Sequence, residues 1–285
     1  MFLGLDLGTS GLKGVLINDD QAVVDSASSS LEVSRPHDGW SEQDPADWIS
    51  AAESVFDELK SRRDLGSVRG IGLSGQMHGA TVIDAQNHVL RPSILWNDTR
   101  SSREASEMDA VEDWREISGN IVFPGFTAPK LKWMQNHEPD LFSQIHKVLL
   151  PKDYLRLWLT GEYISEPSDS AGTSWLNTAT RDWSGDLLNL SDLDRSHMPD
   201  IVEGSEPGGN LRQDISSRWG FRPSIVVAGG GGDNAASGIG VGAVADGQAF
   251  LSLGTSGVLF AATDAYSSAP ETAVHTFCHA VPNTW

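Results

Sequence analysis

The chain has 285 residues, with 39 Asp plus Glu against 20 Lys plus Arg and a formal net charge of −19 at pH 7. So acidic a balance argues against nucleic acid or an anionic membrane surface as the main partner, since both repel it. Hydrophobic residues make up 39%, including 10 Trp and 9 Phe, which supports a real core and excludes wholesale disorder. Cys278 is the only cysteine, so neither an intramolecular disulfide nor a cysteine-based zinc site is available. Met1-Phe2-Leu3-Gly4-Leu5-Asp6 lacks a basic n-region and reaches an acid too early for a signal peptide. The uncharged run 247–263 is too short and too rich in Gly, Ser and Thr for a membrane helix. A cytoplasmic protein is the expectation.

Residues 2–28 read as an antiparallel meander. An apolar strand over 2–7 meets the turn Gly8-Thr9-Ser10-Gly11, a second strand covers 12–18, Asp19-Asp20 turns, and a third strand spans 22–25. Asp44-Pro45 then pairs an acidic N-cap with proline at the first helical position. Trp48, Ala52, Val55, Phe56 and Leu59 follow at helical spacing, and 70–74 is a short apolar strand. The order β-β-β-α-β opens a ribonuclease-H-like α/β unit, with a generic α+β domain as the competing reading.

From about 100 to 220 the chain reads as helical and loop-rich. Helices end at Gly161, after Tyr154, Leu155, Trp158 and Leu159, and at Gly220, after Leu211, Ile215 and Trp219. Stretches 182–200 and 204–209 carry acids and turn residues and read as surface loops, whereas 224–228 is a buried strand entering Gly229-Gly230-Gly231-Gly232. Finally, Leu5-Asp6-Leu7-Gly8-Thr9-Ser10-Gly11 recurs as Leu251-Ser252-Leu253-Gly254-Thr255-Ser256-Gly257, matching everywhere except Asp6 against Ser252. A strand leads in and out of both copies, so the second reads as the first hairpin of a duplicated domain.

Several motifs carry chemistry. Small residues in the turn at 8–11 let backbone N–H groups approach a phosphate, Thr9 and Ser10 add hydroxyls, and Lys13 follows closely. Asp6 ends the strand where a magnesium ion can be held; a plain hairpin loop is the alternative. No P-loop sequence is present, and Gly70-Ile71-Gly72-Leu73-Ser74-Gly75 fails as a dinucleotide fingerprint because its glycines fall inside a strand. Gln76, Met77 and His78 lie just past that strand, where Gln76 and His78 can bond hydroxyls, and Trp96-Asn97-Asp98 follows a hairpin over 81–91 and offers an apolar plate for a sugar. Asp233-Asn234 after four glycines is either an N-cap or a general base with cleared space around it. His275 and His279 have the spacing of a metal pair but lack a third ligand nearby, and read as structural.

Taken together, Asp6-Leu7-Gly8-Thr9-Ser10-Gly11, Gly254-Thr255-Ser256-Gly257 and Gly231-Gly232-Asp233-Asn234 resemble the FGGY family of carbohydrate kinases, within the sugar kinase, Hsp70 and actin superfamily. Trp40-Ser41-Glu42-Gln43-Asp44-Pro45, Ser74-Gly75-Gln76-Met77-His78-Gly79 and Trp96-Asn97-Asp98 look like the branch of that family that acts on D-xylulose. So do Pro124-Gly125-Phe126-Thr127-Ala128-Pro129-Lys130 and Leu150-Pro151-Lys152-Asp153-Tyr154. The resemblance implies two ribonuclease-H-like domains around a cleft, with 1–245 binding sugar and 246–285 opening an ATP-gripping domain that is cut short. It implies that Asp233 takes the proton from O5 of D-xylulose as that oxygen attacks the γ-phosphate of ATP, and that Asp6 positions Mg2+. Gly8, Thr9, Ser10, Lys13, Gly254 and Thr255 would contact phosphate, and Met77, His78, Trp96, Asp233 and Asn234 the sugar. A homodimer is left open. The rival readings are a sibling kinase for another ketose or polyol, a catalytically silent sugar-binding module, and an Hsp70- or actin-like ATPase.

Overall fold

Alternating apolar residues build the first sheet strands. In the computed structural model, which describes residues 1–253 and 257–285, β1 (Phe2–Leu7), β2 (Gly11–Ile17) and β3 (Val23–Ser30) form the expected antiparallel meander. Leu3, Leu5, Leu7, Leu12 and Leu16 are buried on one face, while Phe2, Gly4, Asp6 and Lys13 are exposed on the other. That is the period-two division of a sheet covered on one side. The third strand outruns the expected 22–25 because small residues continue its ladder, pairing Ala27 with Gly14 and Ser30 with Gly11.

The covering layer begins with α1 (Pro45–Arg62). Asp44 caps it by accepting from the Ala46 N–H, and Trp48, Ala52, Val55, Phe56 and Leu59 are all buried against the sheet. β4 (Gly70–Gly75) then returns parallel to β1, pairing Leu73 with Leu5. The helices α2 (Thr127–His137), α3 (Pro151–Thr160) and α4 (Gln213–Trp219) follow. α3 and α4 end, as read from the sequence, at Gly161 and Gly220, whose φ of +82° and +78° favour glycine. Before α4 comes β5 (Pro207–Asn210), and after it β6 (Val226–Ala228) and β7 (Gly231–Gly232). Among the described residues the sheet order is β5-β6-β4-β1-β2-β3, with β7 also beside β4. The β3-β2-β1-β4-β6 part is the ribonuclease-H-like arrangement.

Two stretches differ from their expected surface character. Within 182–200, Gly185–Asn189 is a short helix, and Leu187, Leu188, Leu193 and Met198 join Trp114, Trp133 and Trp175 in a second core. The acids there decorate the outer side of a segment whose leucines point in. Residues 204–209 include β5, an edge strand antiparallel to β6. Beyond α5 (Asp233–Val241), β8 (Ala249–Leu253) and β9 (Gly257–Ala261) pair as the second hairpin. The last residues pack back on the helical layer: Trp285 Nε1 donates to the Thr178 carbonyl at 2.8 Å, and the Thr276 N–H to Asn120 Oδ1 at 2.8 Å.

Candidate active site

Strand register brings charge to the uncovered face. Asp6 stands opposite Lys13 on β2 and Ser74 on β4, all pointing the same way. They line a cleft of about 540 Å³ with Gly4, Gly230, Gly231 and Pro282. Just past β1 the Gly8 N–H donates to the Gly11 carbonyl at 3.0 Å, closing the turn. A side chain at Gly11 would press on the Ser29 carbonyl at 2.7 Å, so the turn needs glycine there. Gly254 and Thr255, expected on a facing loop, lie outside the described residues.

The glycine bend is held from behind. Gly230 has φ +81°, and a Cβ on it would drive into the Leu73 carbonyl. The buried Arg156 guanidinium donates to the carbonyls of Ala228 at 2.8 Å and Gly229 at 2.5 Å, while Ser168 Oγ accepts the Gly232 N–H at 3.1 Å. Asp233 is then the first residue of α5, with Gly232 in the capping position, so the N-cap reading does not hold. Its Oδ1 accepts from the Asn234 N–H at 2.7 Å. Desolvation raises the Asp233 pKa to about 6, the charge of nearby Asp6 adds to the rise, and the Asn234 bond opposes it. A carboxylate that titrates there is matched to general-base work near neutral pH.

On the other side, Met77 is buried and packs against Gly232, its side-chain atoms 3.1 Å from where a Cβ would sit. His78 takes φ +68°, stacks on Phe126 with centroids 4.8 Å apart, and places Nδ1 2.7 Å from the Gly172 carbonyl. Burial, with help from the Lys130 charge, lowers its pKa to about 3, so the ring is neutral. A carbonyl only accepts, so Nδ1 carries the proton and Nε2 keeps a lone pair for a hydroxyl. Buried Lys130 donates to the carbonyls of His78 and Gly125, each at 2.8 Å, and so fixes this segment. Trp96 is 43% exposed. Asn234 is partly buried beside Asp233.

The geometry corrects two chemical details. Gln76 is not free to reach a sugar hydroxyl: it is 2% exposed and both ends of its amide are bonded inside the protein. The Thr9 hydroxyl gives its proton to Gln76 at 2.8 Å, not outward to an oxyanion. In the sequence Phe126 and Lys130 stand out only as parts of a family-like stretch, and Gly172 not at all; nothing local marks a residue that works by supporting His78. His279 lies in irregular chain, and its Nε2 sits 3.0 Å from the Ala243 carbonyl. Among the described residues no group of three or more His, Cys, Asp or Glu is arranged to hold a metal, and no helix is long and apolar enough to cross a membrane.

Comparison with known proteins decides the family. Residues 1–240 match the N-terminal domain of the FGGY family of carbohydrate kinases. The chain belongs to that family. It is 54% identical over 286 residues to the xylulose kinase of Escherichia coli (strain K12), covering all of this chain and 59% of that relative. Among solved structures, a "xyloylose kinase" from Brucella ovis superposes with a TM-score of 0.98 at 60% identity, covering 100% of this chain and 59% of that one. A xylulose kinase from Rhodospirillum rubrum gives 0.92 at 29% identity, covering 99% and 59%. The chain thus spans about 59% of the length of these relatives.

Proposed function

We propose that this chain supplies the sugar site and the general base for ATP-dependent phosphorylation of D-xylulose at O5. The observation that carries the reading is Asp233, a partly buried carboxylate with a pKa near 6. Its neighbour Gly232 packs on Met77, and the charge of Asp6, which lines the cleft with Lys13, is felt at its carboxylate. Ionised Asp233 accepts the hydroxyl proton as the sugar oxygen bonds to the γ-phosphorus and the bond to the ADP oxygen breaks. Met77, Trp96 and Asn234 orient the sugar, and the neutral His78 accepts from one of its hydroxyls through Nε2. Lys13, Ser10 and the main chain of Gly8 and Thr9 meet phosphate oxygens, with Gly254 and Thr255 of the second loop opposite.

The donor set also fits magnesium. Asp6 offers an exposed hard-oxygen carboxylate, and its field already disfavours a second negative charge on Asp233. When bound, Mg2+ would neutralise charge on the transferred phosphoryl group. On this reading 1–245 form the sugar-binding domain and 246–285 open the ATP-gripping one, in a cytoplasmic setting. The similarity to xylulose kinases favours D-xylulose over another ketose or polyol.

Calorimetry with the 285-residue chain tests the reading. D-xylulose should bind more tightly than D-ribulose or glycerol, and Asp233→Asn should leave that binding nearly intact. Absence of D-xylulose binding, or a preference for glycerol, would overturn it.

A further inference from the structure

Gln76 sits beside the candidate sugar segment yet faces no ligand. Its Nε2 donates to Gln43 Oε1 at 2.9 Å, and its Oε1 accepts the Thr9 hydroxyl at 2.8 Å. Thr9 Oγ1 in turn accepts the Trp96 indole N–H at 3.0 Å. At the far end the Trp48 indole donates to the same Gln43 Oε1 at 3.0 Å. Gln43 Nε2 donates to the main-chain carbonyls of Thr9 at 2.7 Å and Glu32 at 3.1 Å.

The direction of every bond in this chain is forced. An indole N–H only donates and a carbonyl only accepts. Trp48 therefore fixes which end of Gln43 is oxygen, and the two carbonyls fix which end is nitrogen. The Gln43 oxygen accepts its second bond from a donor, so Gln76 turns its nitrogen there and its oxygen toward Thr9. The Thr9 hydroxyl must then donate to Gln76, leaving a lone pair for Trp96. Reversing Gln43 sets donor against donor, and reversing Gln76 sets acceptor against acceptor, in a buried site where an unmade bond is costly.

We infer that Gln76, supported by Gln43, is a positioning residue that holds the Trp96 plate in register with the turn at 8–11 through the Thr9 hydroxyl. The inference rests on the sugar-kinase reading, in which a sugar hydroxyl must be held against a phosphate and small misplacements are expensive. It gives Thr9 a role as the joint between the two halves of the site, and it makes the sugar-side indole dependent on a residue it does not touch.

Two measurements on the 285-residue chain test it: the indole N–H resonance of Trp96, assigned by its loss in Trp96→Phe, and D-xylulose affinity by calorimetry. Gln76→Met keeps the buried volume and removes the amide. The Trp96 resonance should move and its solvent exchange quicken, and the Kd should rise roughly 2- to 12-fold, the worth of one net hydrogen bond. Thr9→Val should do the same, and Thr9→Ser should restore both readouts. An unmoved resonance in Gln76→Met overturns the inference, and so does a moved resonance with unchanged affinity. Should Gln76→Met fail to fold, the Thr9→Val and Thr9→Ser pair decides by the same criteria. If the unaltered chain binds no D-xylulose, the kinase reading fails, and the Trp96 resonance alone decides whether Gln76 sets the indole.

Discussion

Replacing Asp233 by Asn should make the protein more stable while removing its proposed chemistry. The carboxyl pKa stands at about 6 against the ordinary 3.8, because burial and the Asp6 charge disfavour the ionised form more than the Asn234 N–H favours it. A shift of about 2 units corresponds to about 3 kcal/mol held against the fold once the group ionises, at ~1.4 kcal/mol per unit. Asn mimics the neutral acid and can keep the Asn234 bond. The sign follows from linkage: with the folded pKa raised, the favourable contribution exists below pH 3.8 and is lost as pH rises through about 6. Asp233→Asn should therefore melt higher than the parent at pH 8, by roughly 2–4 °C per kcal/mol recovered. The difference should shrink steadily as the pH falls from 8 toward 4. Any D-xylulose-dependent ADP formation should fall about 10²- to 10⁴-fold, the usual loss for a general base. Calorimetric melting from pH 4 to 8 beside initial rates makes the test. A variant that melts lower at pH 8, or a difference that ignores pH, would refute the electrostatic account; near-normal turnover would refute the base assignment.

Three further outcomes follow from the same geometry. His78, held neutral by burial with a pKa near 3 against 6.5 unfolded, supplies stability that is complete above pH 6.5 and lost as pH falls toward 3. His78→Asn, which tolerates the positive φ, should flatten that loss in denaturant titrations, and parallel curves for the two proteins would contradict it. Gly230→Ala should cost at least about 1–3 kcal/mol from the left-handed backbone alone, and more from the contact with the Leu73 carbonyl; a neutral unfolding midpoint would show that the bend can shift freely. Leu253 and Leu259 on the second hairpin are 78% and 75% exposed, so the chain should self-associate and the double change Leu253→Lys, Leu259→Lys should reduce it in sedimentation runs. A parent chain that sediments as a clean monomer at high concentration would count against this.

What is legible in the sequence tracks how local the determinant is. The meander, α1 and β4 are readable because each is set by neighbours: leucines at period two, apolar residues at helical spacing, and Asp44-Pro45 at the cap. The glycine bend before Asp233 is equally plain, since four consecutive glycines suit neither a helix nor a packed strand interior. The segment 182–200 misleads because its acids dominate the composition while Leu187, Leu188 and Leu193 do the packing. The Gln43–Gln76 link is out of reach for a different reason. It joins positions 33 residues apart, and Gln76 meets Thr9 across 67, so only the folded sheet brings them together.

The cluster behind the glycine bend shows the same limit in electrostatic form. In the sequence Leu150-Pro151-Lys152-Asp153-Tyr154 stands out only as a family-like stretch, and nothing in it says whether its charges meet water. In the fold Lys152 is fully buried, with Nζ 2.6 Å from Asp153, 3.1 Å from Asp169 and 3.4 Å from Glu166. Burial alone would lower its pKa, but the three carboxylates outweigh it and the net direction is upward. Burial, only partly offset by the Lys152 charge, pushes the Asp169 pKa well above the ordinary carboxylate value. Such a cluster is weak evidence for stability, because taking charges out of water costs about as much as their attraction returns. Its place in the fold supplies a different reason for it. Arg156 from this group grips the carbonyls of Ala228 and Gly229, Glu166 accepts the N–H groups of Ser168 and Asp169, and Ser168 accepts from Gly232. These bonds fix the chain immediately before Asp233. A polar residue in a sequence does not announce whether it will be solvated or buried, and here burial is what turns ordinary charges into the frame for the candidate base.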